Sequence, residues 1–455
     1  MKAYKSYTIC ASLWNQTFPS HWGILPLYAI AREKSICNCV DLPLLSVYLD
    51  VGVIPFSAKE EKRTNVTSKD LSKYQRVDCG DFVLNNQQAW RGSVGVAFDT
   101  GIVSPAYIVL SMNDSFNRKY ANYLLRSRIM VDQYLINSKS VGSIQRNIYW
   151  PALKRVMVPV PPRPEQDQIV RFLDWKVSSI NKLIGVNQKQ IECLNEKLLT
   201  VVNDLLTHGV KQNRAYMKTN MDWASEIPLE WEISRVRNHF EILKRIAGSE
   251  GFDVFSVTQQ GLKVRNINLY EGQLAANYSG YQFVYPGEFA MNHMDLLTGG
   301  VGIADHLGVT SPDYRVFRLF DEERCYAAYY LKIFQLCYRR HAFYRFGRGA
   351  ANVGRWRLPA SAFKNFEIPL PPYDEQIEIV RAIEIEEHKI KTVIDCLQQE
   401  IDVLKEFKKR LIADVVTGKI DVRGIEIPEY DLVEEDSDGE SEENTESMEG
   451  EMDEE

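Results

Sequence analysis

Two stretches of the sequence carry basic side chains almost without acidic ones. Residues 115–164 contain nine Lys or Arg and a single acidic residue, Asp132, and residues 324–366 contain nine Lys or Arg and no acidic residue. Nucleic acid binds such clusters because phosphate contacts release condensed counterions. A solvated surface is the alternative interpretation. A one-signed run that occurs twice in a chain otherwise rich in acids favours nucleic-acid binding.

Side chains that can read bases lie in or near these two stretches. Arg pairs favourably with guanine and Asn or Gln with adenine, whereas phosphate contacts only position the protein. The candidates in the first region are Gln87, Gln88, Trp90, Arg91, Lys139, Gln145, Arg146 and Asn147, and those in the second are Arg345, Arg348, Asn352, Arg355 and Arg357. Trp90 and also Trp356 either stack on bases or pack in a core. The two sets differ, so we expect the two regions to read different sequences.

Motifs for catalysis or metal binding are weak. "LPPY" at Leu370 resembles the Asn/Asp-Pro-Pro-Tyr element of amino-methyltransferases, but a leucine cannot hold an amino group by hydrogen bonds. The glycines of "GSVGVA" and "GGVGIA" lack the Lys-Ser/Thr of a phosphate loop, so we predict a glycine turn between strands. The seven His are dispersed, and Cys37 and Cys39 form a lone Cys-x-Cys. We therefore predict no catalytic residue and no metal site.

Charge is distributed unevenly along the 455 residues. The net charge is −7, but the last 22 residues, from Glu434, hold 13 acidic and no basic residues, so residues 1–433 carry +6. Such a tail cannot bury apolar area, and we predict that it is disordered. It either screens a basic surface or aids solubility, and we favour solubility.

The remaining bulk properties favour the cytoplasm. We find no apolar run of 18 residues and no signal peptide, so a membrane location is not expected. Eight scattered Cys fit a reducing compartment.

An internal repeat covers almost the whole chain. "VPVPPRPEQDQIVRFLD" at Val158 returns as "IPLPPYDEQIEIVRAIE" at Ile368, 210 residues later. Matches in the same order, with shifts of 207 to 210 residues, are Trp14 with Trp223, Trp22 with Trp231, "GDFVLN" with "GEFAMN", "GSVGVA" with "GGVGIA", and "GIVSPAY" with "GVTSPDY". Two copies of one module therefore lie in tandem.

Each copy combines a globular part with a long helix. "VGVAFD" and "AYIVLS" predict strands, and "NRKYANYLLRSRIMVDQYL" predicts one helix. After each proline cluster, apolar residues alternate in steps of 3 and 4, which is typical of a coiled-coil seam of about 60 to 65 Å. Asn187 on this seam either fixes the register or is a tolerated polar residue. Glu387 and Lys408 break the second seam.

The proline cluster marks the boundary between the two parts. Proline stops the preceding element, and Glu165 and Glu375 then lie in first helical turns, where carboxylates suit the helix dipole. We predict an α+β fold with two tandem mixed α/β domains, whose long helices pair as an antiparallel coiled coil about a pseudo-twofold axis. The boundaries are an N-terminal segment at 1–18, domains at 19–162 and 228–372, helices at 163–212 and 373–420, a linker at 213–227 and the tail at 421–455.

These ordered motifs, over residues 4 to about 423, resemble the specificity subunits of type I restriction-modification systems. The resemblance rests on "FPSHW", "WASEIPLEW", "GDFVLN…WRGSVGVA…GIVSPAY" and the paired "PLPP…EQ…IV" helices ending in "LLTHG" and "VVTGKIDVR". The acidic tail departs from the family pattern. The resemblance implies that each globular domain is a target-recognition domain for one half of a split sequence in double-stranded DNA, and that the helices measure the gap.

The resemblance also implies the partners of the chain. Two modification subunits would dock on the helices and bring S-adenosylmethionine, and restriction subunits would bring ATP- and Mg-dependent translocation and cleavage. The chain itself would bind no cofactor. A four-residue insertion in a helix, about 6 Å, is expected to lengthen the gap by about two base pairs. The alternatives are a fused methyltransferase-nuclease with degenerate motifs and a non-catalytic assembly protein that binds RNA or an acidic partner.

Overall fold

The computed structural model describes residues 2–13, 15–49, 51–58, 70–141, 145–266, 277–349 and 356–433. Trp14, Asn352, Arg355 and the acidic tail from residue 434 lie outside the described residues. The chain divides into two units, which are unit 1, Met1–Gln188 with Gln398–Glu455, and unit 2, Lys189–Leu397. Among the described residues, no helix has the length and apolarity needed to cross a lipid bilayer.

Unit 1 consists of short strands and helices, followed by the first part of a long helix. Its elements are β1 (Tyr7–Cys10), β2 (Gln16–Pro19), β3 (Gly23–Pro26), α1 (Leu27–Ile30), β4 (Ala31–Lys34), β5 (Leu45–Tyr48), β6 (Gly52–Pro55), β7 (Gln75–Val77), β8 (Phe82–Asn85), β9 (Val94–Val96), β10 (Gly101–Val103), β11 (Tyr107–Met112), α2 (Arg118–Leu125), α3 (Arg128–Ile136), β12 (Ser138–Val141), β13 (Gln145–Ile148), α4 (Trp150–Leu153), β14 (Met157–Val160) and the long helix α5 (Arg163–His208). Residues 163–188 of α5 belong to unit 1 and the rest to unit 2.

Unit 2 has a similar set of elements. They are β15 (Tyr216–Met221), β16 (Ala224–Pro228), β17 (Glu232–Arg235), β18 (Phe240–Leu243), β19 (Asp253–Thr258), β20 (Gly261–Val264), β21 (Gln282–Val284), β22 (Phe289–Met291), β23 (Val301–Ile303), β24 (Gly308–Thr310), β25 (Arg315–Leu319), α6 (Ala327–Arg339), α7 (Ala360–Asn365), β26 (Glu367–Leu370) and the long helix α8 (Tyr373–Val416). Residues 398–416 of α8 belong to unit 1.

The central sheets of the two units have the same strand order. Unit 1 has an antiparallel sheet in the order β4-β11-β8-β9, and unit 2 has one in the order β18-β25-β22-β23. In each unit the strand that leads into the long helix pairs with a strand near the start of the domain, β14 with β3 and β26 with β17. Loops at equivalent places in the two sheets can therefore be compared directly.

The prediction of a glycine turn between strands is confirmed at Gly92, which has a φ of 110° between β8 and β9, and Gly299 and Gly300 lie between β22 and β23. The last glycine of each motif lies inside a strand instead. Gly95 is the middle residue of β9, and a Cβ there would lie 3.0 Å from the backbone nitrogen of Val53. Gly302 is the middle residue of β23, and a Cβ there would lie 2.5 Å from the backbone nitrogen of Leu262. Glycine is needed at both positions because another strand approaches its backbone too closely for a side chain.

The single helix predicted for residues 117–135 is wrong, because the structure divides it into α2 and α3. The break falls at Ser127, whose hydroxyl donates to the carbonyl of Leu124 at 2.6 Å. The backbone carbonyl of Ser127 then accepts from the N–H of Met130 and Val131 at the start of α3. Ser competes locally for backbone hydrogen bonds, which explains why the helix stops there.

The glutamate of the repeated motif is a buried acceptor in both units. Glu165 accepts from the Tyr4 hydroxyl at 2.6 Å and the Trp22 indole N–H at 3.0 Å, and His21 Nε2 lies 2.7 Å away. In unit 2, Glu375 accepts from Arg214 at 2.7 Å, and it also accepts from the indole N–H of Trp231, the residue equivalent to Trp22, at 3.2 Å. The motif thus attaches the start of each domain to a long helix, in addition to placing a carboxylate in its first turn.

The glutamine of the motif fixes a second segment. Gln166 accepts from the backbone N–H of Asn117 at 2.8 Å, and Gln376 accepts from that of Tyr326 at 2.7 Å. Asn117 and Tyr326 are the N-cap residues of α2 and α6. Each glutamine amide also donates to a carbonyl of its own proline cluster at 2.9 Å. The glutamate and glutamine together explain why the motif occurs once in each unit.

Within unit 1, the two long helices run antiparallel. The Gln168 amide, near the start of α5, donates to the carbonyl of Val422 just after α8 at 3.1 Å. Further along α5, Asn181 Oδ1 accepts from Lys408 Nζ at 3.3 Å. Contacts therefore move back along α8 as they move forward along α5.

Candidate nucleic-acid interface

In unit 1, most of the predicted base-reading residues come together at one end of the central sheet. The turn that follows β8 contains a short 3-10 helix, Ala89–Arg91, and the β12–β13 hairpin contacts this turn. The contact is made by the backbone N–H of Ile148, which donates to the Asn86 side chain at 2.9 Å. The indole N–H of Trp90 donates to the carbonyl of Gln87 at 2.9 Å, which closes the turn.

The cationic side chains of this surface lie on aromatic rings or backbone carbonyls. Lys139 Nζ lies 3.7 Å from the ring centre of Tyr149, and the Arg91 guanidinium lies 5.3 Å from that of Trp90. Arg146 donates to the carbonyl of Leu135 at 3.4 Å. None of these three cations makes an ion pair within the part of the chain that the structure describes. These three side chains can therefore bind an anion that comes from outside the chain, such as a phosphate.

The amide residues of the surface differ in exposure. Gln87 is exposed and Gln88 is half-buried. Asn147 faces Lys139 across the hairpin, and its buried Oδ1 has no hydrogen-bond partner among the residues that the structure describes. The backbone of Gln145 pairs in β13, and its side chain is outside the described part of the structure.

In unit 2, the equivalent turn follows β22 and contacts the segment after α6. The backbone N–H of Leu358 donates to the carbonyl of His293 at 2.9 Å, which corresponds to the Asn86 contact of unit 1. Arg348 and Arg357 pair through their backbones at 2.8 and 3.1 Å. Both side chains are exposed, and neither makes an ion pair among the described residues. Arg345 differs, because it forms an ion pair with Asp222.

A buried cation lies behind this surface in unit 2. Arg315 is 5% exposed, donates to the carbonyl of Leu358 at 2.7 Å and lies over the ring of Phe363. Burial lowers the pKa of Arg315 to about 10. Burial, together with the nearby guanidinium groups of Arg315 and Arg357, lowers the pKa of His293 to about 4. The His293 ring is thus neutral at pH 7, and within the described part of the chain its buried Nδ1 has no hydrogen-bond partner.

The structure changes the interpretation of the two one-signed stretches. Lys119 pairs with Asp174 of α5 at 2.7 Å, and Lys332 pairs with Glu387 of α8 at 2.6 Å, so part of each stretch is neutralised by acids elsewhere in the chain. Most aromatics of residues 324–366 are also core residues. Those buried are Tyr329, Tyr330, Phe334, Tyr338, Phe343, Phe363 and Phe366.

Sequence reasoning missed several residues of the site. Tyr149, which lies under Lys139, is one residue beyond the hairpin, and the alternation of basic and aromatic residues could have indicated it. His293 and Arg315 carry no local signal, since Arg315 lies in a strand whose other side chains are mostly apolar. Trp356 packs on Tyr344, with its indole N–H donating to the Tyr344 carbonyl at 2.6 Å.

Known proteins resemble this chain over most of its length. Residues 34–192 match the family model of the type I restriction modification DNA specificity domain. A putative type I restriction enzyme MjaX specificity subunit of Methanocaldococcus jannaschii is 24% identical over 79% of this chain and 82% of its own. The type I restriction enzyme MjaVIII specificity subunit of the same organism is 22% identical over 82% of this chain and 88% of its own.

The fold also has a counterpart among solved structures. A chain from a structure described as "Structural basis underlying complex assembly and conformational transition of the type I R-M system" matches with a TM-score of 0.62. It covers 89% of this chain and 99% of its own length at 13% identity, which shows the fold alone.

The fold and the site together define a duplicated α+β protein with one basic turn-and-loop surface in each of two units. The family model and the named relatives agree on the particular family. Residues 34–192 match the DNA specificity domain of type I restriction-modification systems, and the chain as a whole is similar to the specificity subunits of those systems.

Proposed function

We propose that this chain is the DNA sequence-recognition subunit of a type I restriction-modification complex, in which each unit reads one half of a bipartite double-stranded DNA target. One observation carries the proposal. The equivalent end of the central sheet in each unit presents cations that form no ion pair with a carboxylate among the described residues. They are Arg91, Lys139 and Arg146 in unit 1 and Arg348 and Arg357 in unit 2. Phosphates supply the missing negative charge.

The two surfaces are proposed to read different half-sites because their side chains differ. The unit 1 turn reads "NNQQAWRG" and offers exposed or half-buried glutamines, whereas the unit 2 turn reads "NHMDLLTGG". Glutamine pairs with adenine and arginine with guanine in the major groove. Gln87 and Gln88 are thus proposed to contact bases in one half-site, and Arg348 and Arg357 in the other.

The long helices are proposed to form an antiparallel coiled coil that sets the gap between the half-sites and docks two modification subunits. Exposed apolar side chains on the unit 1 portions of the helices support a docking role. Leu183 and Val186 of α5 are 51% and 44% exposed, and Val403 and Phe407 of α8 are 67% and 48% exposed. The two side chains of each pair lie one helical turn apart, and apolar side chains grouped in this way mark a protein interaction site.

Chemistry is proposed to come from the partners. Modification subunits would bring S-adenosylmethionine, and restriction subunits would bring ATP- and Mg-dependent cleavage. This chain would recognise the DNA sequence and bind no cofactor in that reaction. The absence of a catalytic motif in the sequence supports this division. The scattered cysteines support action in the cytoplasm. The 13 acids of residues 434–455 support a role of this segment in solubility.

Co-expression with a modification subunit, followed by sequencing of methylated adenines, tests the proposal. The double variant Lys139→Ala/Arg146→Ala is expected to weaken recognition of one half-site, and Arg348→Ala/Arg357→Ala to weaken only the other. Arg128→Ala is the control, because this exposed arginine of unit 1 is paired with Asp132 at 2.9 Å. Equal loss at both half-sites, or loss at neither, would contradict the assignment.

A further inference from the structure

A group of potential metal ligands lies in unit 2, formed by residues outside the recognition surface. His239 precedes β18, and Asp321 and Cys325 lie in the loop between β25 and α6. One ligand atom from each residue lies within 4.8 Å of the other two. His239 and Cys325 are each 2% exposed, whereas the Asp321 side chain is 21% exposed. The group is buried but has one open side, through which an ion can enter.

The imidazole is oriented toward the other two ligands. Ser234 Oγ lies 2.7 Å from His239 Nε2, and Asp321 Oδ2 lies 2.7 Å from His239 Nδ1. The Asn238 amide donates to Ser234 Oγ at 3.2 Å and holds that hydroxyl in place. Metal-binding histidines commonly use one ring nitrogen for such an outer partner and the other for the ion.

The backbone holds the loop ligands in place. The N–H of Cys325 donates to the carbonyl of Asp321 at 3.0 Å, and the N–H of Phe320 donates to the carbonyl of His239 at 3.0 Å. The loop is also held to α8, because Gln376 bonds the carbonyl of Arg324 and the N–H of Tyr326 at 2.7 Å each. The three ligands therefore meet at a fixed point of the fold.

The kinds of donor atom select the ion. One imidazole nitrogen, one carboxylate oxygen and one thiolate suit Zn²⁺, whereas a thiolate is a poor ligand for Mg²⁺ or Ca²⁺. We propose that His239 Nδ1, a carboxylate oxygen of Asp321 and Sγ of Cys325 bind one zinc ion, with water in the fourth position. The site is specific to unit 2, because unit 1 has Ile30 before β4 and Phe116 before the N-cap of α2.

Zinc binding must displace a proton. Burial raises the pKa of the Cys325 thiol to about 11, so this group is protonated at pH 7 in the absence of an ion. The ion replaces the thiol proton, and a neutral imidazole that binds through Nδ1 keeps its own proton on Nε2, beside Ser234 Oγ. One proton is released from the thiol for each zinc bound, and the affinity therefore rises with pH.

Titration of the full chain, stripped of metal with a chelator, tests the site. One equivalent of Zn²⁺ is expected to bind and to raise the thermal unfolding midpoint, whereas Mg²⁺ has no effect. Co²⁺ in place of Zn²⁺ is expected to produce a thiolate-to-cobalt charge-transfer band. Cys325→Ser should abolish this band and weaken binding by at least about tenfold. Cys193→Ser, at an exposed cysteine of α5, should behave as the wild type.

A second variant keeps the test decisive if Cys325→Ser does not fold. Asp321→Asn changes a partly exposed side chain and is expected to weaken Zn²⁺ binding while the apo chain folds normally. The proposal is overturned if the wild type binds no stoichiometric Zn²⁺. It is equally overturned if both variants bind Zn²⁺ as tightly as the wild type. Either outcome would show that the three side chains form only a hydrogen-bonded group.

Discussion

At the scale of single residues, the equivalent glutamates Glu165 and Glu375 are both buried hydrogen-bond acceptors, but they accept from different donors. A buried carboxylate is tolerated only when donors surround it. Glu165 accepts from the hydroxyl of Tyr4 and the indole N–H of Trp22, and His21 Nε2 lies 2.7 Å away. Glu375 is served by the Trp231 indole and by the guanidinium of Arg214, whose side chain is only 6% exposed.

This difference predicts unequal effects of one substitution. Glu375→Gln removes the buried one of two carboxylates paired with Arg214, the other being Glu230 at 3.1 Å, and is expected to destabilise the chain by about 3 kcal/mol. Glu165→Gln keeps an oxygen acceptor for the donors of Tyr4 and Trp22 and is expected to cost only about 1 kcal/mol. Urea denaturation of the two variants beside the wild type measures both losses. Equal losses would show that the ion pair with Arg214 contributes no more to the free energy of unfolding than the hydrogen bonds of Glu165.

His293 predicts a pH dependence that is confined to unit 2. Its pKa is lowered to about 4 by burial and by Arg315 and Arg357, with Asp313 acting in the opposite direction. A histidine in an unfolded chain has a pKa near about 6.5, so protonation below that pH favours unfolding. The stabilisation is present above pH ~6.5 and is lost as the pH falls toward 4.

Urea midpoints at several pH values between about 7.5 and 4.5 check this dependence on His293. His293→Asn is expected to lose less stability than the wild type over this range. His341→Asn is a matched control, because His341 is exposed and its positive φ of 53° is a conformation that asparagine tolerates. If His293→Asn follows the wild-type curve, the burial of this imidazole contributes no pH dependence.

Sequence patterns identify the exposed residues of the site better than the buried ones. Runs of Arg, Lys, Asn and Gln indicate the turn and hairpin residues, because such polar residues are usually at the surface whatever the surrounding fold. They do not identify Arg315, since a charge buried in a strand is accommodated by tertiary partners, here the Leu358 carbonyl and the Phe363 ring. The metal ligands His239 and Cys325 are likewise brought together only by folding.

At the scale of elements, heptad spacing predicts the long helices, which span Arg163–His208 and Tyr373–Val416. The two residues that interrupt the second seam have partners that spacing cannot show. Lys408 is 7% exposed and bonds Asn181 of α5, while Glu387 accepts from Lys332 of α6 at 2.6 Å. Asn187 is buried, and its amide nitrogen has no hydrogen-bond partner.

The proposed spacer role predicts the effect of inserting one heptad into both helices. The insertions fall between Gln188 and Lys189 and between Leu397 and Gln398, where the chain passes from one unit to the other. Seven residues add about 10 Å, or about three base pairs, and keep each apolar stripe on its own face. The gap in the methylated target is expected to lengthen while both half-sites stay the same.

An insertion in α5 alone is the control for this experiment. It disrupts the matching of the two helices, and methylation activity is expected to fall without a new, longer gap. Sequencing of methylated DNA reads both outcomes. A paired insertion that changes the half-sites, or that leaves the gap unchanged in an active complex, would show that the helices do not measure the distance.

At the scale of the whole molecule, both chain ends contribute to unit 1. Residues Lys2 and Asp421 form a β-bridge, and the N–H of Asp421 donates to the Lys2 carbonyl at 2.9 Å. The segment then follows α5 as far as Val433, whose carbonyl accepts from the Asn181 amide at 3.1 Å. The prediction that residues 421–433 belong to the disordered tail is therefore wrong, because their backbone bonds to unit 1. The run of acidic residues begins only at Glu434.

Removal of residues 434–455 is expected to change the net charge of the chain without changing its folding stability. The deletion changes the net charge from −7 to +6 and leaves the contacts of Val433 in place, so the urea midpoint should not change. Binding to random duplex DNA should strengthen at low salt and return to the wild-type value above about 0.15 M, where longer-range charge is screened. Solubility should fall, since the strong net charge of the tail opposes association.

Deletion of residues 421–455 is the matched comparison for the tail. It also removes Asp421 and the carbonyls that bond α5, and it is expected to lower the urea midpoint of unit 1. The decisive measurement is affinity for the specific DNA target at physiological salt. If the shorter deletion raised that affinity by about tenfold, the tail would be screening the basic recognition surface rather than only keeping the protein in solution.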